Sequence, residues 1–355
     1  MRGRPTMAPE IPGTIDELLT PEWLAAALSP RFPSLEITHV ARGPIVSRLS
    51  TNARFTIGGP SGLPPGLKPD LCAKGYFTEV GRARASAGEP EAYFYRDVIG
   101  DTPAESLACV YADVEESTRR SVIITEDVLA SGGEFLDTLS PYTPDQAAES
   151  LVQLARLHAS TWLNPRFSET SWLNWRIPFY RHYRSVEDIQ LAFDGPVGSG
   201  IPQEAKDAFR LRSGFKKLTA DDPRESGVWS IIHGDTHVGN VFLDSDRQPR
   251  FLDWQTVQRG PWSLDISYHI ASALTEPDRR ANERALLSHY LDNLKSLGVE
   301  PPSWDRAWLE YRRGVAHGFF MWAITQQVHV EMIEVLLRRL GTAAADLDTF
   351  ELLGV

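Results

Sequence analysis

The run Ile231-Ile232-His233-Gly234-Asp235-Thr236-His237-Val238-Gly239-Asn240-Val241-Phe242-Leu243, followed by Phe251-Leu252-Asp253-Trp254-Gln255, constrains this chain more than any other stretch. A carboxylate stands five positions before an amide. A short apolar strand follows, then a turn carrying Asp244, Ser245, Asp246 and Pro249, then a second apolar strand ending in another carboxylate. If the strands pair as a hairpin, the start of the first lies beside the end of the second. Asn240 and Asp253 then converge as oxygen ligands for a hard divalent cation such as Mg²⁺. Asp235 sits on the loop just before them, placed to accept a proton from a hydroxyl. A lone His-Gly-Asp is only a turn, and an Asn before a strand is often a turn residue. The apolar strands flanking the loop, with a carboxylate at the second strand's end, make the pattern specific.

Base, metal amide and metal carboxylate are the parts that a kinase-type phosphoryl transfer needs. The segment resembles the catalytic and metal loops of the aminoglycoside phosphotransferase/choline kinase-like enzymes, the small-molecule branch of the protein-kinase-like fold. Protein kinases carry His-Arg-Asp with Asn five residues on, then Asp-Phe-Gly. Here Gly234 stands where they have Arg, as in the small-molecule branch, and the last motif reads Asp253-Trp254-Gln255. This form most resembles the ecdysteroid kinase-like and related bacterial phosphotransferases. The run Gly260-Pro261-Trp262-Ser263-Leu264-Asp265-Ile266-Ser267-Tyr268 resembles them too, and the resemblance makes Asp265 a structural carboxylate. The fold it implies is α+β and two-lobed: a strand-rich N-lobe with one main helix, and a larger, mainly helical C-lobe.

Bulk properties fit that expectation. The 355 residues suffice for two modest domains with real cores. Thirty-six basic against 47 acidic side chains leave a net charge of −11. That argues against nucleic acid or an anionic membrane as a broad-surface partner. Two cysteines, Cys72 and Cys109, make no disulfide framework and read as buried thiols, which fits a cytoplasmic, reducing location. The stretch from Met1 to Gly13 has Arg2 and Arg4 but no apolar core, so it does not read as a signal peptide; Met7 offers an alternative start. No apolar stretch approaches the length of a membrane span.

The pattern along the chain predicts a helix from Thr20 or Pro21 to Leu28, with Thr20 as cap. Strands are expected at 35–41, 52–57 and 71–75, with a Gly- and Pro-rich loop over 58–69. A helix over 89–99 and strands near 108–113 and 121–125 complete a nucleotide-binding lobe at 1–128. The segment 126–133 reads as a hinge, and 129–355 as a catalytic and substrate-binding lobe. There, helices are predicted over 144–162, 277–297 and 304–340, the last with Trp308, Tyr311, Val315, Phe319 and Trp322 on one core face.

A kinase site also needs a cation on the nucleotide phosphates. Lys74, ending the apolar strand Leu71-Cys72-Ala73, resembles the strand lysine of kinases. Its expected partner by the family pattern is Glu91, with Glu89 as runner-up. The phosphate-covering loop is expected over 42–51, with Gly43 and Ser47 as contacts and Arg48 as either a phosphate contact or a solvated side chain. Adenine is expected against backbone groups near Asp127 and Val128. His158 reads as a buried structural histidine and His233 as a brace of the catalytic loop. His237 lies four positions after His233, a zinc-like spacing that works on a helix. Gly234, Gly239 and the flanking β-type runs argue against a helix.

The expected cofactors are ATP and Mg²⁺, and the expected partner is a small-molecule hydroxyl. Acceptor choice is expected to come from 163–229, which holds Trp172, Trp175, Phe179, Tyr180, Tyr183 and Phe193 together with Glu187, Asp188 and Asp194. Aromatics with acids suit an amino sugar or amino alcohol; aromatics alone suit an apolar alcohol such as a steroid or terpenoid. A nucleotide-binding pseudokinase without turnover and a metal hydrolase are the competing classes. Oligomeric state, nucleotide preference and the acceptor stay open at this level.

Overall fold

The computed structural model describes residues 9–355, so Arg2, Arg4 and Met7 lie outside the described residues. The described residues form two compact units: those up to Asp101 with Ser106–Glu134 and Asp253–Gln255, and Thr102–Glu105 with Phe135–Leu252 and Thr256–Val355.

The first unit is built on an antiparallel sheet of β1 (His39–Ser47), β2 (Thr51–Gly58), β3 (Asp70–Gly75), β4 (Cys109–Glu115) and β5 (Arg120–Glu126), in the order β1-β2-β3-β5-β4. Alternation sets which face is buried: in β2, Thr51, Ala53, Phe55 and Ile57 point inward. Ala53, Phe55 and Ile57 join Leu71, Ala73, Val122 and Ile124 in one core, closed by Leu24 and Leu28 of α1 (Pro21–Leu28). Thr20 caps α1 by accepting from the Trp23 amide, and Pro21 opens it. A second helix, α2 (Glu89–Asp97), turns Glu91 and Phe94 into the interior.

The edge strand departs from expectation. Residues 35–38 precede β1, which instead runs on to Ser47, with a bulge between Arg42 and Ile45. The expected phosphate loop thus shrinks to a turn at Arg48–Ser50, closed by the Arg48 amide donating to the Ser50 carbonyl at 2.9 Å. Gly43 and Ser47 therefore lie on a strand. Ile45 and Val46 are β-branched, which favours extending the hairpin over leaving a loop.

The second unit is mainly helical. Its helices include α3 (Pro144–Thr161), α4 (Val186–Asp194), α5 (Ala208–Leu218), α6 (Trp262–Ala273), α7 (Glu276–Ser296), α8 (Trp304–Ile324) and α9 (Val330–Asp346). Every residue of α6 is buried, and α8 packs against it. The single helix expected over 304–340 is two: α8 ends at Thr325, whose hydroxyl bonds back to the Met321 carbonyl. Beyond it the chain turns, and α9 packs back on α8. Two short antiparallel pairs complete the unit: β6 (Ser230–Ile232) with β9 (Gln258–Gly260), and β7 (Val241–Leu243) with β8 (Pro249–Phe251). Among the described residues no helix is long and apolar enough to cross a membrane.

Candidate active site

The expected hairpin forms, with Val241 opposite Phe251, and the Leu252 amide donates to the Asn240 carbonyl at 3.0 Å. Ahead of it, the loop from His233 to His237 leaves β6 without becoming a helix. Gly234 has φ +82°, and a Cβ there would stand 3.0 Å from the Thr256 carbonyl. That left-handed conformation and close approach explain glycine at this position.

The loop's main-chain oxygens are held one after another. His233 O accepts from the Thr256 hydroxyl at 2.7 Å, Gly234 O bonds His317 Nε2 at 2.9 Å, and Asp235 O accepts from Asn240 Nδ2 at 2.8 Å. Thr236 O bonds His269 Nδ1 at 2.7 Å, and His237 O accepts the Asn240 amide at 2.9 Å. On the donor side, the His233 and Gly234 amides reach the two oxygens of buried Asp265 at 2.7 and 2.8 Å. A buried polar group left unpaired costs about 1–3 kcal/mol, so such a loop resists displacement. The buried His269 imidazole is pushed down to about 4 by desolvation, and burial likewise lowers His317; both are neutral donors. Burial opposes ionisation of Asp265, but the His158 hydrogen bond and the Gly234 amide hold it below the usual carboxylate range.

Asp235 is gripped at both oxygens. Tyr268 of α6 donates to Oδ1 at 2.9 Å and Asn240 Nδ2 to Oδ2 at 3.2 Å. His237 Nε2 lies 3.7 Å from Oδ2. Because Asn240 turns its nitrogen toward Asp235, its amide oxygen is the end available to a cation. His233 takes the Asp235 amide on Nδ1 at 3.2 Å and sets Nε2 2.9 Å from Leu252 O. With both ring nitrogens engaged, and only a 3-10 turn at Val238–Asn240, the His233/His237 spacing does not build a zinc site. His158 is fully buried between Tyr290, at 2.8 Å, and Asp265, at 3.2 Å.

In the first unit, Lys74 on β3 meets Glu91 of α2 at 2.6 Å and Asp253 at 2.8 Å. Glu89, the runner-up partner, pairs with Arg119 at 2.6 Å instead. Burial works against the Lys74 charge, but the two carboxylates hold the ammonium protonated far above neutral pH. Trp254 is buried and stacks on Phe94 of α2 at 4.0 Å, with its Nε1 on Ser106 Oγ at 2.9 Å. The tripeptide Asp253-Trp254-Gln255 is thereby docked on the helix that carries Glu91.

The remaining expected residues are placed as follows. Ser47 Oγ bonds Thr51 Oγ1 at 3.1 Å, and Gly43 lies at the β1 bulge. The Asp127 amide donates to Asp70 O at 3.0 Å and its carbonyl accepts from the Ser131 amide at 3.0 Å. Its carboxylate takes Arg54 and the Leu129 and Ala130 amides. The Val128 carbonyl accepts from Gly133 at 2.9 Å. The Asp127 amide and carbonyl and the Val128 carbonyl thus each have one partner within the fold. Cys72 and Cys109 are free thiols, pushed up to about 11 and about 12 by burial, and so poor nucleophiles.

Sequence reading missed Tyr268, His269 and His317. A histidine in a helix buried all round, as His269 is, was the one available signal: such an imidazole must find a main-chain partner.

An oxygen-only set of carboxylates and one amide suits a hard cation, and a fixed ammonium suits phosphate, so the residues fit Mg²⁺ and a nucleotide. Residues 202–298 match the ecdysteroid kinase-like family. An uncharacterized kinase-like protein of Caenorhabditis elegans is 28% identical over 168 residues, 45% of this chain and 44% of the relative, so the match spans less than half the relative's length. A choline kinase from Cryptosporidium parvum superposes with a TM-score of 0.51 at 13% identity, covering 94% of this chain and 95% of that one. That likeness speaks for the fold. A GDP complex of an aminoglycoside 2'-phosphotransferase-IIIa aligns with a TM-score of 0.49 at 13% identity, over 92% of this chain and 99% of that one, too loosely to add to the argument. The chain therefore has the fold of that choline kinase, and its residues 202–298 are similar to the ecdysteroid kinase-like family.

Proposed function

We propose that this chain transfers the γ-phosphoryl group of ATP to a hydroxyl of a small molecule. The observation that carries the reading is the Lys74 ammonium held between the buried Glu91 carboxylate and the half-buried Asp253, three charges brought together from positions far apart in sequence. Asp235 accepts the hydroxyl proton as the acceptor oxygen bonds to phosphorus and the bond to the leaving diphosphate breaks. Tyr268 and Asn240 keep its carboxylate in one orientation. Asn240 Oδ1 and the Asp253 carboxylate are the oxygens offered to Mg²⁺. Mg²⁺, when bound with the nucleotide, supplies charge neutralisation on the phosphates. Lys74, fixed by Glu91, adds positive charge there, so that most of the catalysis is positioning and electrostatics. Gly43 and Ser47 act on the phosphate side from a strand, and Val128 near the adenine.

An apolar alcohol is the alternative acceptor to an amino sugar or amino alcohol. Phe179 and Tyr183 are 65% and 70% exposed, while Asp188 is tied to Ser185 and Asp194 to Gln190. Mg²⁺-ATP turnover, with mass detection across aminoglycosides, macrolides, amino alcohols and steroid or terpenoid alcohols, tests the reading. A phosphorylated product absent with Asp235→Ala supports it. Nucleotide binding without product from any acceptor favours a pseudokinase.

A further inference from the structure

The last residue of Asp253-Trp254-Gln255 has a side chain that phosphoryl transfer does not itself call for. Gln255 Nε2 donates to Asp253 Oδ1, and its Oε1 accepts from the Tyr76 hydroxyl at 3.3 Å. Lys74 donates to that same Asp253 oxygen at 2.8 Å. Tyr76 is 5% exposed, and its ring lies on Gly88, where a Cβ would stand 2.2 Å from Cε2. Gly88 is the N-cap residue of α2, so the ring is fixed against the start of the helix that carries Glu91. An amide accepts from a phenol and donates to a carboxylate at once, whereas a carboxylate at 255 would only accept.

We propose that Tyr76 and Gln255 form a positioning relay that sets the orientation of the Asp253 carboxylate independently of Lys74. The proposal rests on the reading of Asp253 as the metal carboxylate. Lys74 serves two carboxylates, and in the proposed reaction its charge is directed to phosphate. A carboxylate anchored by Lys74 alone would lose its anchor at that moment. A neutral amide holds Asp253 without cancelling the negative charge a divalent cation requires. Hydrogen bonds behind a ligating carboxylate typically carry about 10–100-fold in metal affinity.

The test uses the full chain and a fluorescent ATP analogue, titrated with Mg²⁺. Gln255→Leu is expected to raise the half-saturating Mg²⁺ concentration about tenfold or more, while binding in EDTA stays within about twofold. Tyr76→Phe raises it several-fold and adds nothing in the Gln255→Leu background, because a relay fails once. An unchanged Mg²⁺ titration in folded Gln255→Leu protein overturns the relay, as do effects of the two variants that simply add. Should Gln255→Leu melt early, Tyr76→Phe, which removes a single oxygen, decides alone. A wild type that responds to Mg²⁺ beside an equally responsive Gln255→Leu removes the relay only. A wild type indifferent to Mg²⁺, matched by Asp253→Ala, removes the metal reading together with the relay.

Discussion

The surroundings of Lys74 and those of Asp235 are held by different physics. Lys74, Glu91 and Asp253 are three charges contributed by a strand, a helix and a loop, and their geometry depends on mutual attraction. The Asp235 loop is held by neutral donors on its own carbonyls: Thr256, His317, Asn240 and His269. A charge cluster can be re-partnered when a phosphate or cation arrives, since Coulomb attraction is not directional. A hydrogen-bonded main chain can be displaced only by leaving several buried groups unpaired. The first arrangement suits a site that exchanges partners, the second a side chain that stays put, as the proposed base must.

The comparison can be broken at either side. Asp235→Ala is expected to lower phosphoryl transfer by about a thousandfold or more (~4 kcal/mol of transition-state stabilisation) while nucleotide affinity stays within a few-fold. Steady-state kinetics beside equilibrium binding checks this; equal turnover in variant and wild type would remove Asp235 as the base. Lys74→Ala leaves buried Glu91 without its partner, so unfolding in urea should show a loss of about 3–5 kcal/mol. A loss below about 1 kcal/mol would mean that water already compensates the carboxylate.

Acid should act on the other side. The folded His269 pKa of about 4 lies below its ordinary 6.5, so the unfolded chain takes the proton first. The stability from its neutral imidazole is complete above pH 6.5 and is lost as pH falls toward about 4, roughly 3 kcal/mol over that window. His317 contributes in the same direction. Urea midpoints between pH 7.5 and 5 measure this, and His269→Gln should flatten the slope by about one proton; an unaltered slope would show that His269 is not the titrating group. The smallest effect is expected outside both clusters. Thr143 caps α3 through a capping box with Gln146, and Thr143→Ala should cost about 1 kcal/mol with turnover intact.

Much of this was readable beforehand where the cause is local. Thr20 with Pro21 marks a helix start, and α1 begins there. The apolar runs around the Asp244–Gln248 turn form the β7–β8 hairpin because a short connection brings the two strands together first. Long-range partners were less legible. Glu91 and Glu89 lie two residues apart on one helix, so they face different sides; the resemblance favoured Glu91, and the helix's docking sends Glu89 to Arg119 instead. Where the helical pattern over 304–340 breaks depended on α9 finding a face of α8, which no window of sequence contains.

By itself the sequence determined the non-helical loop at Asp235, the carboxylate and amide that follow it, and the alternation that buries one face of β2. These follow from backbone sterics and periodicity within a few residues. Only the tertiary structure decided that Tyr268, His269 and His317 support that loop and that Tyr76 stands behind Gln255. Those contacts join residues 33 to 179 positions apart, and a buried polar side chain takes its partner from whatever the packing of distant elements brings within hydrogen-bond reach.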